Sequence, residues 1–122
     1  MFLIDSSGWI EFFTDGHLSK AYTKYLKDLS KITTPTIVLY EVYKKIKREC
    51  TEEDALLAVS FINKTSVVQL SESIALLAAD LSLKYSLPMA DAIVYATALE
   101  KNCDVVTSDV HFKGLERIVL IV

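Results

Sequence analysis

Four acidic residues stand where apolar ones would pack better. Asp91 is the only charge in the apolar run Pro88–Leu99, and Asp109 closes the strand-like segment "CDVVTSD". Asp5 ends the opening run "FLID", and Glu41 is the sole charge in "TIVLYEVY". Brought together, such groups need a counter-charge, because two like charges at 4 Å repel by roughly 4 kcal/mol at an effective dielectric of 20. A proton is one remedy, and a divalent cation is a more complete one. All-oxygen ligands select Mg²⁺ or Mn²⁺ over zinc, and of the cysteines and histidines only His111 lies near one of the four acids in sequence. A hard cation held this way acidifies bound water, aligns it with a phosphodiester and stabilises the leaving oxygen. The chemistry implied is metal-dependent phosphodiester hydrolysis.

The elements that must position these acids alternate along the chain. "FLID" reads as a strand, and "SSGWIEFF" as a short helix capped by Ser6 or Ser7 and stopped by Gly16. Tyr22, Tyr25, Leu26 and Leu29 recur at helical spacing, with lysines mostly opposite, which predicts a surface helix over Leu18–Leu29. "KITT" is a brief strand, and Thr34-Pro35 opens a helix running to about Glu49. Thr51 and Asp54 form a capping-box pattern ahead of a helix through Ile62. "SVVQL" is a strand, Ser71 caps a helix to Leu87, and Pro88 starts another through Glu100. "CDVVTS" and "RIVLI" are the last strands, joined by a loop containing Gly114.

Strands alternating with helices predict an α/β fold in which a parallel sheet is covered on both faces. Asp5 and Asp109 then fall at the carboxyl ends of strands, the edge where such sheets bind ligands. Asp91 falls in the first turn or so of its helix, where the macrodipole favours a carboxylate, and Glu41 in the second turn of another. With short connections, helix starts and strand ends meet at one rim, so all four acids can converge.

Size and composition agree with this picture. The 122 residues suit one domain, 1–122, without repeat, linker or low-complexity tract. No apolar run approaches a membrane span despite 52% hydrophobic residues, and the start "MFLID" lacks the features of a secretory signal. Cys50 and Cys103 have no metal-type spacing, which fits a reducing cytoplasm. A net charge of −3 excludes nucleic-acid binding through a bulk positive field, so any such contact must be local.

"FLIDSS", the lone acid in "LYEVY", "LPMADAIVYATA", and "VVTSD" followed by "HF" and "GL" together resemble the PIN domain, most closely the VapC-type toxins of toxin–antitoxin pairs. The likeness spans essentially the whole chain. It departs at Pro88, where many relatives carry a polar cap residue. The resemblance implies a three-layer α/β/α fold around a five-stranded parallel sheet of order 3-2-1-4-5. It also implies an endoribonuclease, commonly a homodimer, in which Asp5, Glu41, Asp91 and Asp109 hold Mg²⁺ or Mn²⁺ with Ser6 or Thr107 as accessory hydroxyls. Its setting would be RNA cleavage restrained by a cognate antitoxin protein. Two alternatives stand beside this: a housekeeping RNA-processing nuclease without antitoxin, and a PIN-like binding module that has lost catalysis.

Blander readings accompany each feature. Singly, the acids read as dipole partners or loop caps; as an ordered set they read as a site. Lys44, Lys45, Lys47 and Arg48, on the Glu41 helix, are candidate RNA contacts or simply a wet helical face. Trp9, Phe12 and Phe13 suit a partner groove, a dimer seam or the core. His111 reads first as an incidental loop histidine, with substrate contact or proton donation as the other reading. Asp80, Glu100 and Asp104 read as solvated surface charges.

Overall fold

A computed structural model describes residues 1–122. Five short strands form its sheet: β1 (Phe2–Ile4), β2 (Ile32–Pro35), β3 (Ser66–Val68), β4 (Asp104–Thr107) and β5 (Ile118–Leu120). All pairings are parallel, in the order β3-β2-β1-β4-β5. The helices are α1 (Ser6–Phe13), α2 (Ser19–Thr23), α3 (Thr36–Glu49), α4 (Glu52–Ile62), α5 (Glu72–Tyr85) and α6 (Met89–Glu100). The α/β architecture is the one read from the alternation of elements, and the sheet order is the one the PIN resemblance implies.

The central strands are apolar because helices cover them. Leu3, Ile4, Ile32, Val105 and Val106 are completely buried, as expected of strands in a parallel sheet. On α6 every residue from Ala92 to Ala98 is buried, which explains why Asp91 is the only charge in its run. The buried Thr97 hydroxyl donates to the Ile93 carbonyl 2.7 Å away, so it adds no unpaired polar group to this helix.

Parallel register sets the geometry of the edge. Leu3 pairs with Val105 and Ile4 with Val106, which brings Asp5 level with Thr107 at the strand ends. Phe2 pairs with Ile32 and Leu3 with Thr33, so β2 ends at the same level and delivers the chain into α3.

Four local expectations are corrected. Asp5 itself, not Ser6 or Ser7, is the N-cap of α1, accepting from the Gly8 N–H at 3.0 Å. The helix stops at Phe13 before Gly16 is reached, and Asp15 takes the left-handed conformation with φ 53°. Helix α2 covers only Ser19–Thr23 rather than Leu18–Leu29. Its tail winds into tighter turns, with Tyr25 bonded to Tyr22 and Leu26 to Thr23, because the chain must turn into β2. The residues that suggested a longer helix still pack inward: Tyr22 and Leu26 are buried, and half-buried Tyr25 meets Phe2 edge-on at 5.0 Å. Pro35 ends β2 and precedes α3 instead of lying in its first turn. The caps at Thr51 and Ser71 form as expected, accepting from Asp54 at 3.0 Å and Ile74 at 3.2 Å.

Candidate functional site

The carboxyl edge gathers acids from three elements. Asp109 lies two residues past β4 and caps a 3₁₀ turn over Val110–Phe112, accepting from the His111 N–H at 2.9 Å. Phe112 anchors that turn: it is completely buried and its ring lies 6.2 Å from that of Tyr95 on α6. Asp91 is in the first turn of the same helix. The anchored turn therefore carries His111 toward Asp91, and its Nδ1 lies 3.1 Å from Asp91 Oδ2 and 2.9 Å from Asp109 Oδ1. One ligand atom from each of the three residues falls within 4.8 Å of the others.

Asp5 is joined to this group from behind. Its carboxylate is buried and accepts from Thr107 Oγ1, from Ser7 Oγ at 2.9 and 3.0 Å, and from the Gly8 amide. Thr107 Oγ1 in turn accepts from the Asp109 N–H at 2.9 Å. One threonine thus ties the end of β1 to the loop after β4. Gly8 is required here for space, since a Cβ would lie 2.5 Å from Tyr22 Cε1 and 2.7 Å from Ile4 Cγ2.

The electrostatics are those of crowded negative charge. Burial, then the Asp109 charge, pushes the Asp91 carboxyl up to about 6, with His111 acting in the opposite direction. Asp5 is raised mainly by burial, against the lowering effect of its bonds from Thr107, Gly8 and Ser7. His111 is raised above the ordinary imidazole range, first by Asp109 and then by Asp91. The edge holds positive charge and protons more tightly than isolated groups would.

The expected residues divide into two sets. Asp91 and Asp109 come together, and Asp5 is linked to them by hydrogen bonds. Glu41 does not join the three-residue group; it lines a shallow depression with Ser6, Lys44, Lys45 and Arg48. Of the two accessory hydroxyls, Thr107 bonds Asp5, whereas the serine that does so is Ser7 rather than Ser6. His111, read as incidental, instead sits between two carboxylates. The signal that could have found it is "SDVHF": an Asp cap, followed by an apolar anchor three residues on that pins the turn.

Trp9 is fully buried and stacks on Phe13 at 5.7 Å, so this aromatic group belongs in part to the core. Phe13 also lines a cleft of about 580 Å³ with Ile46, Leu57 and Phe61. Asp104 is not a free surface charge but meets Arg117 Nε at 2.9 Å.

The donor set fits a divalent cation. Two carboxylates converge beside an imidazole, burial and the Asp109 charge both raise Asp91, and a positive ion would relieve the repulsion.

Solved structures share this fold. A toxin–antitoxin complex from Klebsiella pneumoniae aligns over 100% of this chain and 98% of its own, with a TM-score of 0.85 and 22% identity. VapC20 of Mycobacterium tuberculosis, described as a sarcin–ricin loop cleaving toxin, gives 0.79 at 14% identity over 95% of each chain. VapBC2 from Rickettsia felis, bound to a promoter DNA fragment, gives 0.78 at 16% identity over 98% of this chain and 96% of that one. At such identities the likeness is one of fold. No curated protein sequence matches significantly. The model of the PIN-domain family, however, matches residues 2–118, from the first strand to the start of the last, and the chain belongs to that family.

Proposed function

We propose that this chain is a Mg²⁺- or Mn²⁺-dependent endoribonuclease and the toxin of a toxin–antitoxin pair. In this reading residues 1–122 act as one PIN-like domain, as a homodimer in the cytoplasm. The observation that carries the catalytic part is the convergence of Asp91, Asp109 and His111 at the carboxyl edge of a PIN sheet, with Asp5 tied to the same strand end through Thr107. The toxin–antitoxin complexes among the structural neighbours support the biological setting and a protein partner. No helix is long and apolar enough to cross a membrane.

Asp91, Asp109 and Asp5 would hold the cation, and Glu41, from the neighbouring depression on α3, would complete the set of four acids. When bound, such an ion supplies the positive charge and the water acidity that phosphodiester hydrolysis requires. The chain's own residues do the remaining work. Thr107, Ser7 and the Gly8 amide orient the Asp5 carboxylate and favour its ionised form against burial. His111, exposed and raised above its ordinary range, is the counter-charge of Asp91 and Asp109 in the metal-free chain; with the cation on those carboxylates its ring would be released to protonate a leaving oxygen. Lys44, Lys45 and Arg48 draw RNA phosphates toward the edge. The cut leaves a 5′-phosphate and a 3′-hydroxyl.

The test is RNA cleavage with added Mg²⁺ or Mn²⁺ by the wild-type chain, Asp5→Asn and Asp91→Asn, followed by sequencing of the RNA ends. Loss of cleavage in both variants, with folding retained, supports the reading. Cleavage by both at the wild-type rate overturns the assignment of these acids.

A further inference from the structure

Helix α3 presents an aromatic ring beside the acidic edge that the scheme above leaves unused. Tyr40 immediately precedes Glu41 and is 57% exposed. It lines a depression of about 230 Å³ together with Ser6, Glu41, Lys44, Lys45 and Arg48. A tyrosine on a helix surface usually covers neighbouring side chains, so the arrangement of the cations decides what this one does.

Most basic groups on α3 already have acidic partners. Lys45 Nζ lies 3.1 Å from Glu49, Lys47 Nζ 3.4 Å from Glu52, and Arg48 meets Glu49 at 4.0 Å. Lys44 has none. Its Nζ lies 3.3 Å from the Tyr40 hydroxyl and 5.4 Å from the ring centroid. A nitrogen nearer the hydroxyl than the ring centre sits out beyond the hydroxyl end, so the ammonium does not cap the ring face. The result is a solvent-facing aromatic plane with an uncompensated cation at its rim, in a depression shared with Glu41 and Ser6. Tyr43 and Lys47 repeat the pair three residues on, but Tyr43 is half-buried and Lys47 is held by Glu52. On α3, only the Tyr40 pair has both an exposed ring and a lysine without an acidic partner.

We propose that Tyr40 is a stacking platform for an unpaired nucleobase of the RNA, with Lys44 taking an adjacent phosphate; this rests on the ribonuclease reading above. An aromatic plane with a cation beside it is the arrangement that holds single strands, because every base has a π-face and the backbone follows the charge. Paired bases in an A-form helix do not offer that face, so the platform selects strands, loops or bulges over duplex.

The experiment compares the wild-type chain, Tyr40→Ala and Tyr40→Phe on one RNA oligonucleotide, given either as a single strand or annealed to its complement. Steady-state cleavage is measured with Mn²⁺, and binding of the labelled single strand by fluorescence polarisation without metal. The expected result for Tyr40→Ala is a rise of about tenfold in KM and Kd for the single strand, with kcat within about twofold. Tyr40→Phe, which keeps the ring, should retain the wild-type KM. Unchanged KM and Kd in Tyr40→Ala, or an equal defect in Tyr40→Phe, overturns the platform while wild-type cleavage leaves the ribonuclease reading standing. If the wild-type chain cleaves nothing, that reading fails, and polarisation alone decides: a tenfold Kd difference supports the platform, and no difference overturns it.

Discussion

The two sides of the carboxyl edge are built differently. Around β1, β4 and α6 the acids are locked: Asp5 accepts from three donors, Thr107 bridges to Asp109, and Phe112 pins the turn that carries His111 to Asp91. On the α3 side, Tyr40, Glu41, Lys44 and Arg48 project from one helix, held by surface ion pairs and contacts with exposed side chains. Locked geometry suits groups that must keep a fixed relation to a reacting atom. A loosely held polar and aromatic face suits a substrate whose sequence and conformation vary. The contrast assigns chemistry to the first side and substrate reading to the second, and it can be broken from either.

The largest effect is expected at Asp91. Asp91→Asn should lower kcat/KM for RNA by about 10²–10³-fold or more. The same variant should be about 1 kcal/mol more stable than wild type without metal at neutral pH, a figure discounted for the group's partial exposure. Thermal unfolding checks this, and a destabilised Asp91→Asn would show that the acid serves packing instead. Thr107→Val removes the bridge while keeping the shape, and should cost about 10–100-fold in activity as an outer-shell partner. If instead Thr107→Val behaves like wild type, the two strand ends are coupled by the sheet alone.

Metal should act chiefly through the locked side. Mn²⁺ at 100 times its Kd should stabilise the wild-type chain by about 2.7 kcal/mol, reversibly with a chelator, and far less in Asp91→Asn. The pH dependence of metal-free stability sharpens the same point. With its folded-state pKa raised to about 6 from 3.8, Asp91 binds a proton in the native state where the unfolded chain has lost it. Its contribution is therefore present below about pH 4 and lost as pH rises toward about 6. His111, raised above 6.5, adds stability at low pH that is lost in a later window, as pH passes its raised value. Unfolding across pH 4–8 should show the first loss vanish in Asp91→Asn and the second in His111→Gln. The smallest effect belongs to the α3 side: Lys44→Ala should weaken RNA binding a few-fold and reduce the slope of log K against log salt by about 0.7 for a single strand.

The sequence by itself determined the alternation of strands and helices, the runs that became the buried strands, and the placement of acids at strand ends and in the early turns of helices. These follow from local patterning, because polar groups inside apolar runs are tolerated only where the chain leaves the core. The PIN motifs in "FLIDSS" and "LPMADAIVYATA" added the sheet order. Tertiary structure decided which acids touch. Glu41 satisfies the same sequence logic as Asp91 yet is not part of the Asp91–Asp109–His111 group: α3 follows strand β2, whereas α6 follows helix α5 and leads into β4. His111 joins because Phe112 is buried against Tyr95: "SDVHF" marks the turn, but its partner on α6 is set by the fold. Asp5 became a helix cap because parallel register set it level with Thr107 and the chain turned there into α1. Distances between side chains far apart in sequence are fixed by register and by what the core must enclose, and only the folded chain supplies both.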